Sequence, residues 1–305
     1  MVVVDLQAFE AQIAAGGAVD INDPMPDEYR HQACRIMGFQ CLAEIVGGLM
    51  FAEWIPRTPS LLRKMMLTAK VQDEMGHAYY LLRTCEDMGL SRAQIIEDYL
   101  DGKSKLLNVF HYRIETWHEW PIAALTQNSA ALVQFKSLVK TSFLPYARAL
   151  KRIMKEESFH YHNALDLTRT LCLQGPEHRR KVQEGLNKWW MPVLAYFGPP
   201  DAGSAHTHQN MRWRLKIDTN DQLRQNWLAQ MVPVIQSLGL EIPDDRLRWN
   251  EEAEAWEFSE PDWAAIKHVI NGNGPASEYW HETVARNYRA DGWVRELVDR
   301  ERGAA

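Results

Sequence analysis

A chain of 305 residues with 46% hydrophobic side chains is long enough to bury one large core or two modest ones, and no run of eighteen apolar residues marks a membrane span. A net charge of −6 without a basic block argues against a nucleic-acid surface. Four scattered cysteines (Cys34, Cys41, Cys85, Cys172) without a Cys-x-x-Cys pair point to reduced, buried thiols, and Met1–Glu10 lacks a basic segment and cleavage site, so a cytoplasmic chain is expected.

In chain order, Pro24, Pro26 and Asp27-Glu28 mark the start of an apolar-periodic helix reaching about Phe51. Pro56 and Pro59 break it, and Thr58 or Ser60 is placed to cap a second helix over about Leu61–Met88, stopped by Gly89. A short helix is expected over Ser91–Leu100, then an aromatic-rich loop to Pro121. Long helices follow over about Pro121–Val139 and Pro145–Leu173, closed by Gly175-Pro176. Glu177–Phe197 and Asn220–Leu238 read as helices, the second interrupted by Pro233, with loop over 201–218 between them. Alternation around Trp249 and Trp256 suggests a small hairpin, and helices over Asp262–Ile270 and Glu278–Val298 end the chain. The expected fold class is all-α, a four-helix bundle over 26–176 with an N-terminal extension over 1–25 and a C-terminal helical extension over 177–305 packed on it. The twelve tryptophans imply large apolar contacts in the core or at subunit interfaces.

The chemistry concentrates in Glu-x-x-His turns. A carboxylate and an imidazole three residues apart share one helix face, and two such turns plus a carboxylate from each of two further helices make a di-metal site in a four-helix bundle. Five Glu-x-x-His pairs occur. Glu28/His31, Glu115/His118 and Glu278/His281 fall near helix starts or in loop, where charge is solvated cheaply. Glu74/His77 and Glu157/His160 fall mid-helix on apolar stripes, where ionisable groups are costly unless paired or metal-bound. Thirty residues before Glu74 stands Glu44, one hairpin length away. Twenty-nine residues before Glu157 stands Asn128, the right position but an amide that a neighbouring core group could equally satisfy. Lys70, one turn before Glu74, is either a buried carboxylate partner or a lysine that snorkels to a subunit interface, and Glu156 points away from Glu157 as a solvated or outer residue.

The segments Ala43-Glu44-Ile45-Val46-Gly47, Ala69-Lys70-Val71-Gln72-Asp73-Glu74-Met75-Gly76-His77, Thr141-Ser142-Phe143-Leu144-Pro145-Tyr146-Ala147-Arg148 and Lys155-Glu156-Glu157-Ser158-Phe159-His160 together resemble the catalytic subunits of the phenylacetyl-CoA epoxidase family. Phe197-Gly198-Pro199, Thr219-Asn220-Asp221-Gln222-Leu223-Arg224-Gln225, Ile270-Asn271-Gly272 and Gly292-Trp293-Val294-Arg295-Glu296 extend the likeness over roughly residues 20 to 298. The resemblance implies a ferritin-like fold with two non-haem iron ions, and epoxidation of the ring of an aryl-CoA such as phenylacetyl-CoA with O₂. It implies electrons from NADPH through a separate flavin/iron–sulfur reductase, and a non-catalytic ferritin-like partner subunit. By position, Glu44, Glu74 and His77 would hold one iron, and Glu157 and His160 the other. The family has an aspartate as the remaining ligand where this chain has Asn128, which opens two alternatives: a ferritin-like scaffold with weak or no catalysis, or a di-iron oxygenase for another acyl-CoA. Arg35, Lys103 and Lys105 are candidates for the CoA phosphates, with ordinary surface charge as the competing reading.

Overall fold

The computed structural model describes residues 4–204 and 207–303 and is almost wholly helical. Four long helices carry the expected bundle: α2 (Asp27–Ala52), α3 (Leu61–Asp87), α5 (Glu119–Leu138) and α6 (Leu144–Leu173). The architecture is an all-α, ferritin-like bundle with further helices. Its punctuation is local. Ser60 Oγ accepts from the Arg63 amide at the start of α3, and Gly89, at φ +91°, follows its end in a conformation that a side chain resists. Ser91 caps α4 (Arg92–Leu100), and Pro145 sits in the first turn of α6, where its missing N–H costs nothing.

Departures from the expected elements lie outside the bundle. The N-terminal stretch contains a helix, α1 (Leu6–Ala14), started by the Asp5 side chain, which accepts from the Gln7 and Ala8 amides. The stretch expected as loop around 201–218 holds α8 (Thr207–Arg212). The last expected helix is two, α11 (Ser277–Ala290) and α12 (Gly292–Gly303), separated at Asp291. α7 (Pro176–Leu194), α9 (Asn220–Ser237), the hairpin β1 (Arg248–Asn250) with β2 (Ala255–Glu257), and α10 (Trp263–His268) follow the pattern read from sequence, and α9 continues past Pro233.

α3 and α6 run antiparallel, since Arg63 meets Asp166, Asp73 meets His160 and His77 meets Glu156. α7 and α9 pack on α5. Trp189 on α7 donates to Glu119 Oε1 at 2.7 Å and Trp227 on α9 donates to Ser129 Oγ at 2.8 Å, so buried indoles pin both helices to α5. Sixteen of the residues of α5 are buried as a result. α2 has an eighteen-residue window with a mean hydropathy of 1.4, long and apolar enough to cross a membrane, but 72% of that window is buried inside the protein. Its apolar character therefore serves the bundle core.

That core is divided. One apolar cluster includes Leu42, Val46, Leu67, Ala164 and Leu167, and continues through Trp189, Trp227 and Trp280 of the C-terminal helices. The other includes Met37, Cys41, Ala78, Leu81, Leu150 and Ile153, with Phe9 and Ile13 of α1. Along α3 the boundary falls at Lys70, Glu74 and His77, and along α6 at Glu157 and His160, all buried. A layer of ionisable side chains thus crosses the bundle between two apolar halves. The four cysteines are free and buried, as expected.

Candidate metal centre

Each mid-helix Glu-x-x-His turn points its pair into this layer. Glu44, Glu74, His77 and Glu157 each offer one ligand atom, and these atoms lie within 4.8 Å of one another. His77 Nδ1 stands 3.6 Å from Glu44 Oε2, 3.4 Å from Glu74 Oε2 and 3.4 Å from Glu157 Oε1. Despite three carboxylates around it, this nitrogen is buried without a hydrogen-bond partner among the described residues. Buried polar atoms are rarely left so, and an unpartnered nitrogen facing three carboxylate oxygens suits a shared cation. His160 offers Nδ1 to the same layer, 3.7 Å from Glu74 Oε1 and 3.5 Å from Glu157 Oε1. Glu74 therefore directs one oxygen toward each histidine.

The outer nitrogens are fixed by a pair of residues that sequence reasoning missed or undervalued. Glu156 Oε2 lies 2.9 Å from His77 Nε2, and Asp73 Oδ2 lies 3.1 Å from His160 Nε2. Each acid directly precedes the motif glutamate on its own helix and reaches the histidine of the other. Such partners set which ring nitrogen keeps the proton and leave Nδ1 free to ligate. The signal was present as the paired sequences Asp73-Glu74-x-x-His77 and Glu156-Glu157-x-x-His160.

Lys70 is one of the most buried polar side chains, at 1% exposure. Its ammonium forms a short ion pair with Glu74, donates to Asn128 Oδ1 at 3.2 Å and lies 3.4 Å from His160 Nδ1. Asn128 thus turns its oxygen into the layer, while its Nδ2 has no partner among the described residues. Glu44, Glu74, His77 and Glu157 bring one ligand atom each close enough to hold one divalent ion. At the His160 and Asn128 side a positive charge, the Lys70 ammonium, already stands.

The charges respond to each other. Burial pushes the Glu44 carboxyl up to about 8, with His77 opposing and the neighbouring Glu74 and Glu157 charges adding. Burial and Glu74 would also raise Glu157, but the adjacent His160 and His77 imidazoles and the Lys70 charge hold it at about 2. Burial disfavours the His77 cation, yet the Glu157, Glu44 and Glu74 carboxylates outweigh it and raise its pKa. A cluster that already favours cations among its carboxylates is suited to a metal ion.

The cluster opens on a cavity of about 510 Å³, whose lining includes Glu44, Glu74, Glu157 and Asn128 together with Phe51 and Phe110. Arg35, Lys103 and Lys105 line it too and are exposed, which puts them at its opening. Lys103 is paired with Asp101 at 2.9 Å, and Arg35 donates to Gln32. Lys216, not singled out from sequence, also lines the cavity and is held by a short hydrogen bond to Asn220. The other Glu-x-x-His pairs are not brought to the centre. Glu28, His31, Glu278 and His281 are exposed, and His118 Nε2 meets His178 Nδ1 at 2.9 Å.

Residues 17–293 match the family described as phenylacetic acid catabolic protein. This chain belongs to that family. It is 36% identical to one component of the 1,2-phenylacetyl-CoA epoxidase of Escherichia coli (strain K12) over 292 residues, 96% of this chain and 94% of that protein. Family membership thus embraces both the bundle with its carboxylate–histidine layer and nearly all of the C-terminal helices.

Proposed function

We propose that the chain is the catalytic subunit of a multicomponent di-iron monooxygenase that epoxidises the aromatic ring of phenylacetyl-CoA with O₂. The observation that carries this reading is the buried Glu44, Glu74, His77 and Glu157 cluster lining a cavity with cations at its opening, in a chain whose E. coli relative bears the epoxidase name. Glu44, Glu74 and His77 would hold one iron, Glu157 and His160 the other, with Asn128 beside the second. Iron held there supplies the oxygen-activating chemistry. The protein's own residues do the rest. Phe51 and Phe110 give the acyl ring an apolar wall, the bundle keeps the layer dry, and Arg35, Lys103 and Lys105 attract the CoA phosphates. A flavin/iron–sulfur reductase carrying electrons from NADPH, together with a non-catalytic ferritin-like partner, completes the system in the cytoplasm.

A second reading, a ferritin-like scaffold with weak catalysis, is favoured by one observation: the Lys70 ammonium lies against Glu74, Asn128 and His160. The complex, reconstituted with partner and reductase, decides between them. Stoichiometric iron and NADPH-dependent oxygenation of phenylacetyl-CoA are expected. An assembled complex without iron and without turnover would establish the scaffold. Iron-dependent turnover of a different acyl-CoA alone would reassign the substrate.

A further inference from the structure

Gln40 lies one helical turn before Glu44 on α2, and Tyr146 approaches from α6. The Tyr146 hydroxyl donates to Gln40 Oε1 at 2.5 Å, and Gln40 Nε2 donates to Glu44 Oε1 at 3.1 Å. All three side chains are buried and line the cavity. We propose that this hydrogen-bond chain from Tyr146 through Gln40 makes Glu44 a one-oxygen ligand, with Oε1 held by the amide and Oε2 left for the metal. The inference rests on the reading of Glu44 as a ligand.

The polarity of the chain follows from donor chemistry. A carboxylate that holds a metal ion is ionised and only accepts, so in that state Gln40 must face Glu44 with its NH₂ group, as it does here. Its carbonyl then faces Tyr146, which must donate. The hydroxyl therefore fixes which way the amide points, since with a phenyl ring in its place the carbonyl would lose its donor in a buried setting and the amide would be free to flip. Glu44 Oε2, the unencumbered oxygen, is the one 3.6 Å from His77 Nδ1, on the metal side. Oε1 is engaged on the other side, so the carboxylate cannot swing to chelate with both oxygens without breaking the Gln40 bond. Gln40 and Tyr146 are positioning residues: neither offers an atom to the ion, and Tyr146 acts only through Gln40.

The test uses the full-length protein and Co(II), a redox-stable divalent probe with visible d–d bands that report coordination. Calorimetric titration and absorption spectra are recorded for the unaltered chain, Glu44→Ala, Tyr146→Phe, Gln40→Met and the double variant, with far-UV circular dichroism of each metal-free protein as the fold control. Loss of an outer-sphere partner weakens metal binding on the order of tenfold or more. Tyr146→Phe, which removes one oxygen and keeps the ring, is expected to weaken Co(II) by about that factor and shift the d–d bands. Gln40→Met should do at least as much, and the double variant no more than Gln40→Met. If Gln40→Met does not fold, Tyr146→Phe alone decides. Should Tyr146→Phe bind with unchanged affinity and spectrum while Glu44→Ala is impaired, the positioning chain is wrong and the ligand set stands. If adding Tyr146→Phe to Gln40→Met weakens binding further, Tyr146 does not act through Gln40. Unimpaired binding by Glu44→Ala overturns the ligand assignment and this inference together.

Discussion

Glu156 on α6 holds the outer nitrogen of His77 on α3 at 2.9 Å, while Asp73 on α3 holds that of His160 on α6 at 3.1 Å. The two ligand-bearing helices are thus cross-linked by reciprocal carboxylate–imidazole contacts. Glu156→Gln or Asp73→Asn keeps the shape but removes the charge that favours the ligating tautomer. Each is expected to lower iron affinity about tenfold, with the far-UV spectrum of the metal-free protein unchanged. Iron retained per chain after dialysis against graded chelator checks it, and unchanged retention in both variants would remove the cross-link from the account.

Replacing Glu74 or Glu157 by alanine should abolish bound iron and oxygenation, since both stand between the two histidines. Full iron occupancy in both variants refutes the ligand set. Asn128→Asp tests the neutral position beside Lys70. Glu44, Glu74 and Glu157 supply three negative charges against four positive on two ferrous ions, so an added carboxylate should raise both iron content and turnover. A fall in either would mean that Asn128, which accepts from Lys70, is suited to something other than holding iron.

His111 gives a pH prediction away from the centre. It is buried, its Nδ1 is 2.6 Å from Ser277 Oγ, and its Nε2 has no partner among the described residues. Burial lowers its pKa from 6.5 to about 4, with the nearby Leu106 backbone opposing. The unfolded chain therefore takes up a proton at a pH where the folded one resists. The contribution of His111 to stability should fall as pH drops from about 6.5 to about 4, by up to about 3 kcal/mol, and stay constant below. Urea unfolding of the unaltered protein and of His111→Gln over this range checks it. Equal slopes in the two would exclude His111 as the cause.

Lys216 gives a second, with opposite consequence. Burial lowers its pKa to about 8, with Asp201 opposing and Arg224 assisting. If it meets an anionic part of the CoA ligand, binding needs the ammonium. The dissociation constant of CoA should be flat below about pH 8 and rise above it, approaching tenfold per unit. Lys216→Met should bind more weakly at pH 7 and lose this slope. A profile for the unaltered protein that stays flat to pH 9.5 would place the phosphates elsewhere.

Much of this was legible in the sequence because it is local. The bundle helices announced themselves through apolar periodicity and caps such as Ser60, and the two mid-helix Glu-x-x-His turns stood out because ionisable groups there interrupt an apolar stripe. What was not legible depends on which helices meet. Asp73 and Glu156 matter only because α3 and α6 run antiparallel, Gln40 only because Tyr146 arrives from 106 residues away, and Lys216 only because its loop folds back on the cavity. Lys70 was ambiguous between burial and surface, since a single lysine on a helix does not say which face it joins. The helices α1 and α8 were missed for another reason: each is short and framed by loop, so periodicity had few residues to act on.

The enclosure of α5 has a consequence for how an ion enters. With α7 and α9 pinned to it by Trp189 and Trp227, α5 is the most enclosed of the bundle helices, with sixteen of its twenty residues buried, and its amides are expected to exchange slowly. α3 is held on one side only, its outer face bearing the exposed Met65, Met75 and Tyr79. Hydrogen exchange should therefore be slowest along α5 and fastest, of the ligand helices, along α3, so that an ion reaching the centre by local opening is expected to enter past α3.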